Sequence, residues 1–265
     1  MTVRYRGWLL DLDGTLVRGT RPLPGAGAFL DALRAAGAAF LILTNNATRT
    51  AAAVAGALTE AGLPVRPEEV LTSADVLAEV LARRYPGGRV LAIGEAGLYE
   101  PLRARGLRVV EAGADPAGPV DAVAVGLDRT LTYGKLTAAL RALAAGVPFY
   151  ATNCDLRLPG EDGWLPGNGS IVELLRVASG RTPRVVGKPR YPMLRAALRR
   201  LGLPRSDVAL VGDNVLTDIA AGRRAGIDAY LVETGVPPAK GALRRYPPAG
   251  RVPNLEALRS LLTGP

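Results

Sequence analysis

Short apolar runs return along almost the whole chain, separated by Ala-, Leu- and Arg-rich stretches of helical character. The runs are Trp8–Leu12, Ala39–Leu43, Val90–Ile93, Ala122–Val125, Pro148–Thr152, Arg184–Val186, Val208–Val211 and Ala229–Val232. They are apolar on successive residues rather than on alternate ones, which suits strands covered on both faces. Helices are expected over Gly25–Ala36, Arg49–Ala61, Ala74–Arg84, Gly134–Ala145, Ser170–Ser179, Pro192–Leu201 and Thr217–Ala225. Regular strand–helix alternation predicts an α/β fold built on parallel sheet.

Punctuation by Pro and Gly suggests where the chain divides. YPGG (85–88) and SGRTP (179–183) bracket a segment with its own strand–helix alternation. We therefore expect a discontinuous domain of residues 1–77 and 184–265, and an inserted α/β domain of residues 78–183. The stretch LPGEDGWLPGNGS (158–170) reads as a long irregular loop, and loops of that length are usually functional or disordered.

In open α/β sheets, ligands gather at the carboxyl ends of the strands. Asp11 and Asp13 follow the first run, Thr44, Asn45 and Asn46 the second. Gly187-Lys188-Pro189 follows Arg184–Val186, and Asp213, with Asp218 five residues on, follows Val208–Val211. Each piece alone has a plainer reading, as a tight turn, a helix cap or a solvated lysine. Together they bring up to four carboxylates and one ammonium to one rim. Like charges at close range raise one another's pKa or call for compensation. Oxygen donors without His or Cys select Mg²⁺ over zinc or copper. Lys188, Thr44 and backbone N–H groups could hold the phosphoryl oxygens of a substrate beside that metal.

Phosphoryl transfer needs an in-line nucleophile and charge neutralisation. An aspartate can serve by passing through an aspartyl-phosphate, and a second acid must protonate the leaving oxygen and then activate water. Asp11, nearest the strand, is read as the nucleophile and Asp13, on the departing turn, as the acid/base. Gly14 permits the backbone that turns Asp13 back over the site.

DLDGTL, LTNN, GKP and GDNVLTDI, in that order, resemble the four motifs of the haloacid dehalogenase-like (HAD) phosphohydrolases. GLDRTLTYGKL (126–136) and ATNCDLRLPGEDGWLPGNGSI (151–171) resemble the large α/β cap of their subfamily IIA, which includes p-nitrophenyl, phosphoglycolate, pyridoxal and nucleotide phosphatases. The resemblance covers nearly the whole chain. It implies a Rossmann-like core with an inserted cap, and a Mg²⁺-dependent phosphatase acting on small phosphorylated metabolites. It implies Asp11 as nucleophile and metal ligand, and Asp13 as acid/base lending its main-chain carbonyl to the metal. It implies that Asp213 completes the metal's protein ligands and that Asp218 stands at the edge of the shell, orienting Lys188 or a metal-bound water. It implies Thr44, Asn45 and Lys188 as phosphate-binding positions, and Gly14 and Thr15 on the turn are expected there too. Asn214 departs from the Arg of many relatives, and Cys154 from a common Pro. In such enzymes the cap closes over the site, and caps often dimerise, so a homodimer through the cap is allowed. The loop Leu158–Gly169, with Arg157, Glu161, Asp162 and Trp164, is a candidate for substrate contact or for stabilising the cap or a dimer. Tyr133 and Trp164 could stack on a substrate ring or simply pack.

Rival readings are a dehalogenase, which does not need Asp13, a phosphotransferase or phosphomutase, a phosphorylated regulatory module, and a basic nucleic-acid-binding protein. The last rests on a net charge of +9. Only three lysines occur, at 135, 188 and 240, and the arginines form no dense basic block, so nucleic acid is not expected as a partner. No apolar run approaches the roughly 18–20 residues of a membrane span. The N-terminus reaches acids too early for a signal peptide, and the single Cys154 suits a reducing compartment, so a cytoplasmic location is expected. The chain has no His, which excludes His-based triads and proton shuttles.

Overall fold

The computed structural model describes residues 5–113, 118–160 and 163–259. They form two compact units: one of Met1–Thr44, Ala51–Leu71 and Lys188–Pro265, the other of Asn45–Thr50 and Thr72–Gly187, within the described residues. The boundary expected after residue 77 falls inside a helix, Ser73–Arg84, which belongs wholly to the second unit.

The first unit carries a six-stranded sheet in the order Gly250–Val252, Asp228–Val232, Val208–Gly212, Gly7–Asp11, Ala39–Thr44, Val70–Thr72. Its two central strands, Gly7–Asp11 and Val208–Gly212, are buried at every residue, as strands between two helical layers must be. Registry is parallel: Asp11 stands opposite Leu43 on one side, and Leu10 opposite Val211 on the other. The residues that follow these three strands therefore leave the sheet at one edge. Trp8 packs edge-on to Phe29 of the helix Ala26–Ala35, ring centroids 5.5 Å apart. The helix Tyr191–Leu201 has Pro at its start and stops at Gly202, whose φ of 67° suits the left-handed cap.

The second unit has a five-stranded parallel sheet, ordered Arg184–Val185, Phe149–Ala151, Ala122–Val125, Arg89–Ile93, Arg108–Glu111. The helices Tyr133–Ala144 and Asn168–Ser179 contribute Ala139, Leu143, Ile171, Val172 and Leu175 to its core. Its first helix is fixed by a reciprocal cap, with the Thr72 hydroxyl accepting from Asp75 N–H at 3.1 Å and the Asp75 carboxylate accepting from Thr72 N–H at 3.0 Å. The irregular loop expected over 158–169 is instead an antiparallel pair, Arg157–Gly160 with Gly163–Pro166, running directly into the helix from Asn168. Prolines 159 and 166 hid it, although a two-stranded ribbon tolerates them because each strand has a free edge.

Candidate active site

In the first unit the chain leaves Asp11 through a tight turn. Leu16 and Val17 donate N–H groups to the Leu12 carbonyl at 2.9 and 3.1 Å, and Gly14 donates to Val17 at 2.7 Å. Gly14 has φ of 90°, and a Cβ there would lie 2.4 Å from an Asp213 carboxylate oxygen, so only glycine fits. The Thr15 hydroxyl donates to Asp11 Oδ2 at 3.0 Å. The N–H groups of Gly14 and Thr15 close this turn, with Thr15 donating to Leu12 at 3.3 Å.

Lys188 enters from the loop after Val185. Its ammonium group is fully enclosed, donates to Asp11 Oδ1 and to the Leu43 carbonyl (3.2 Å), and pairs with Asp218 Oδ1 at 2.8 Å. Asp218 is brought there by a π-helical turn, Val215–Ile219, a distortion common at functional sites. The Asn214 N–H, at 3.1 Å, and the Thr217 hydroxyl, at 3.2 Å, both donate to Asp218 Oδ2. Gly212 makes room for it, since a Cβ at 212 would sit 2.3 Å from Asp218 Cγ. Asp213 accepts the Val236 N–H on Oδ2 at 2.8 Å.

Asp11, Asp213 and Asp218 are all buried, each offering a carboxylate oxygen within 4.8 Å of the others. Three carboxylates face one ammonium. Burial pushes Asp213 up to about 8, with Asp11 and Asp218 adding to the rise. Asp218 is pushed up to about 6, again first by burial, with Lys188 opposing. Burial alone would lower Lys188, but Asp11 and Asp218 outweigh it and hold the ammonium above its ordinary range. The group is thus short of positive charge, and its donors are hard oxygens with no nitrogen or sulfur among them. Such a set fits Mg²⁺.

Thr44 is buried at the end of its strand. Asp13 lies on the turn with an exposed side chain, and its carboxylate is not part of the three-acid group. Asn45 belongs to the second unit, where its side-chain amide donates to Asp155 at 2.9 Å and its carbonyl accepts from Ser73 (2.7 Å) and Asn153 (2.7 Å). Arg157 lies over the exposed ring of Trp164, 5.0 Å from its centroid, and Tyr133 is 86% exposed, so neither aromatic is core packing. Glu161 and Asp162 lie outside the described residues.

Sequence reasoning missed the segment Glu233–Val236. Besides the bond from Val236, Gly235 lies so close to Asp213 that a Cβ would come within 1.8 Å of Oδ2, and the Thr234 hydroxyl donates to the Gly14 carbonyl at 2.6 Å. A Thr-Gly pair one residue past a largely buried strand was the available signal. No helix of the described residues is long and apolar enough to cross a membrane.

A family model described as haloacid dehalogenase-like hydrolase matches residues 8–108, and one described as HAD-hydrolase-like matches residues 185–258. An acid sugar phosphatase of Staphylococcus aureus (strain MRSA252) is 40% identical over 233 residues, covering 88% of each chain. The structure of a p-nitrophenyl phosphatase from Archaeoglobus fulgidus superposes with a TM-score of 0.89 at 34% identity, covering 97% of this chain and 99% of that one. A glycerol phosphate phosphatase from Mycobacterium tuberculosis, solved in complex with magnesium, gives 0.88 at 38% identity, covering 99% of this chain and 80% of that one.

Proposed function

The chain belongs to the haloacid dehalogenase-like hydrolases, in their subfamily IIA, and from that premise we propose how its own residues carry out phosphomonoester hydrolysis. The class of reaction is that of a Mg²⁺-dependent phosphatase. The observation that carries the assignment of roles is the Lys188 ammonium held between the carboxylates of Asp11 and Asp218, with Asp213 beside them.

Asp11 attacks phosphorus, and the ester oxygen departs with a proton from Asp13. The phosphoryl group then rests on the Asp11 carboxylate as a mixed anhydride. Asp13, now a carboxylate, takes a proton from the water that attacks the same phosphorus, which releases inorganic phosphate and restores Asp11. The Thr15 hydroxyl keeps the Asp11 carboxyl in one orientation. Lys188 neutralises the phosphoryl oxygens as charge builds on them, while Asp218 and the Leu43 carbonyl hold its ammonium in place. Thr44 presents its hydroxyl to the phosphoryl group from the next strand. Asp11, Asp213 and the main-chain carbonyl of Asp13 would hold the magnesium ion, which when bound neutralises charge on the carboxylates and the transferring group.

The relatives named as an acid sugar phosphatase and a glycerol phosphate phosphatase make sugar phosphates and glycerol phosphate the first substrates to try, in keeping with a cytoplasmic enzyme of small metabolites. The test is phosphate release from a panel of such esters and from p-nitrophenyl phosphate, with and without Mg²⁺. The wild type requires the metal and Asp11→Asn loses turnover. Undiminished turnover in that variant removes Asp11 from the nucleophile's role.

A further inference from the structure

The segment Glu233–Val236, which follows the buried strand Asp228–Val232, ties two catalytic elements together. Its Thr234 hydroxyl donates to the carbonyl of Gly14, the residue directly after Asp13, at 2.6 Å. Its Thr234 carbonyl accepts from Arg18 at 2.6 Å, on the hairpin into which that same turn runs. Its Val236 N–H donates to Asp213. The turn that carries Asp13 thus has one main-chain acceptor, the Gly14 carbonyl, bonded by a hydroxyl from the loop after Asp228–Val232.

We propose that Thr234 is a positioning residue for the acid/base Asp13, acting through the Gly14 carbonyl. This rests on the roles assigned above to Asp11 and Asp13. Other bonds of this region link Leu12, Gly14 and Val17, the Thr15 hydroxyl to Asp11, and the Leu23 N–H to the Leu16 carbonyl. Those bonds run within one continuous stretch of chain, residues 11–23. The Thr234 bond ties that stretch to a loop more than 200 residues away in sequence and so bears on where the Asp13 carboxyl points. Arg18, further along the same stretch, donates to the Thr234 carbonyl, so two contacts join this loop to that stretch.

Proton donation matters most when the leaving group is a poor one. An alkoxide must be protonated as it departs, whereas p-nitrophenolate leaves without help. Misplacing Asp13 therefore slows phosphoryl transfer from alkyl phosphates more than from p-nitrophenyl phosphate, and kcat/KM, which reports that first step, separates the two. A merely structural role would lower both alike.

The experiment compares kcat/KM for p-nitrophenyl phosphate and for the alkyl phosphomonoester that the wild type turns over fastest, in Thr234→Val, Thr234→Ser, Arg18→Gln and Asp13→Asn, with Mg²⁺ affinity measured calorimetrically. Thr234→Val is expected to lose on the order of tenfold on the alkyl ester, a fraction of the 10²–10⁴ attributable to a general acid, with less than about a twofold loss on the aryl ester. Thr234→Ser restores the wild-type ratio and Arg18→Gln moves it the same way by less, each ratio being taken at Mg²⁺ concentrations that saturate the variant. Equal losses on both esters, an unchanged ratio in Thr234→Val, or no rescue by serine overturns the inference. Should Thr234→Val not fold, Arg18→Gln alone decides it by whether the ratio shifts. Asp13→Asn separates the two levels: if it shows no preference for the good leaving group, the role given to Asp13 fails, whereas if it does and Thr234→Val does not, only the role of Thr234 fails.

Discussion

Gly235→Ala is a one-carbon change outside the motifs that nevertheless bears directly on the metal ligands. Gly235 is not among the glycines with positive φ, so alanine meets no backbone penalty there. The obstacle is space: the added Cβ would lie 1.8 Å from Asp213 Oδ2 and 2.4 Å from Cγ. Side-chain carbons essentially never come within 3.0 Å, so the loop or the carboxylate must give by at least the difference, about 1.2 Å. A movement of that size takes the Val236 N–H, now 2.8 Å from Oδ2, out of hydrogen-bonding range. A hydrogen bond to a charged acceptor is worth about 1.5–3 kcal/mol, or roughly 10- to 100-fold in an equilibrium constant. The displaced carboxylate also meets the metal from the wrong place, and misplacement by about 1 Å costs on the order of 10² in rate. Calorimetric titration of Mg²⁺ into wild type and variant, with kcat measured across Mg²⁺ concentration, reads both quantities. The expectation is a Mg²⁺ dissociation constant raised at least about tenfold, with kcat depressed even at saturating metal. A variant that binds Mg²⁺ within twofold of wild type and turns over normally would refute the idea that this loop sets the Asp213 carboxylate.

Lys188→Ala should lower kcat/KM by about 10³ and also cost about 3–5 kcal/mol of stability, because it leaves Asp11 and Asp218 buried without their cation; p-nitrophenyl phosphate kinetics and urea unfolding check both, and a loss of less than tenfold in rate would place the lysine outside the chemistry. Glu95 lies below the usual carboxylate range because the Arg129 guanidinium binds it, at 2.6 and 2.9 Å. A group whose folded pKa is depressed contributes stability above its unfolded value near 4.5 and loses it as pH falls through the lower folded value. Glu95→Gln should therefore destabilise at pH 7 but converge with wild type in acid, by less than about 1 kcal/mol since Arg129 is largely exposed; parallel urea melts that never converge would count against this. Gly56 lies inside the helix Ala51–Glu60, and a Cβ added there would meet nothing within 4 Å, so Gly56→Ala should gain about 0.5–1 kcal/mol, seen as a higher urea midpoint.

The fold was legible where burial leaves a continuous apolar run. Trp8–Leu12 and Val208–Val211 announce central strands because both faces of a parallel sheet must be apolar. Edge elements lack that mark: Val70–Thr72 and Gly250–Val252 are three residues each, and Arg108–Glu111 has a charge at both ends. The helix Ala96–Ala104 escaped notice because Pro101 stands inside it. The helix expected from Thr217 begins with the π turn Val215–Ile219, whose extra residue per turn is not a periodicity that apolar spacing reveals. Asp11, Lys188, Asp213 and Asp218 could be read from their places at or soon after strand ends. The links between them could not, since Thr234, Gly235 and Val236 act through main-chain atoms and close approach. Nor could Asn45's attachment to Asp155, which joins residues 110 apart in sequence.

Asp13→Asn gives the most direct view of the central claim, since without its acid/base the acyl-phosphate should outlast its formation. The variant is mixed with p-nitrophenyl phosphate and Mg²⁺, quenched in acid, and its peptides are weighed. The account predicts a burst of p-nitrophenol and one phosphoryl group on the peptide containing Asp11, with none when Asp11 is also changed to Asn. Release of p-nitrophenol at the wild-type rate, with that peptide unmodified throughout, would contradict it.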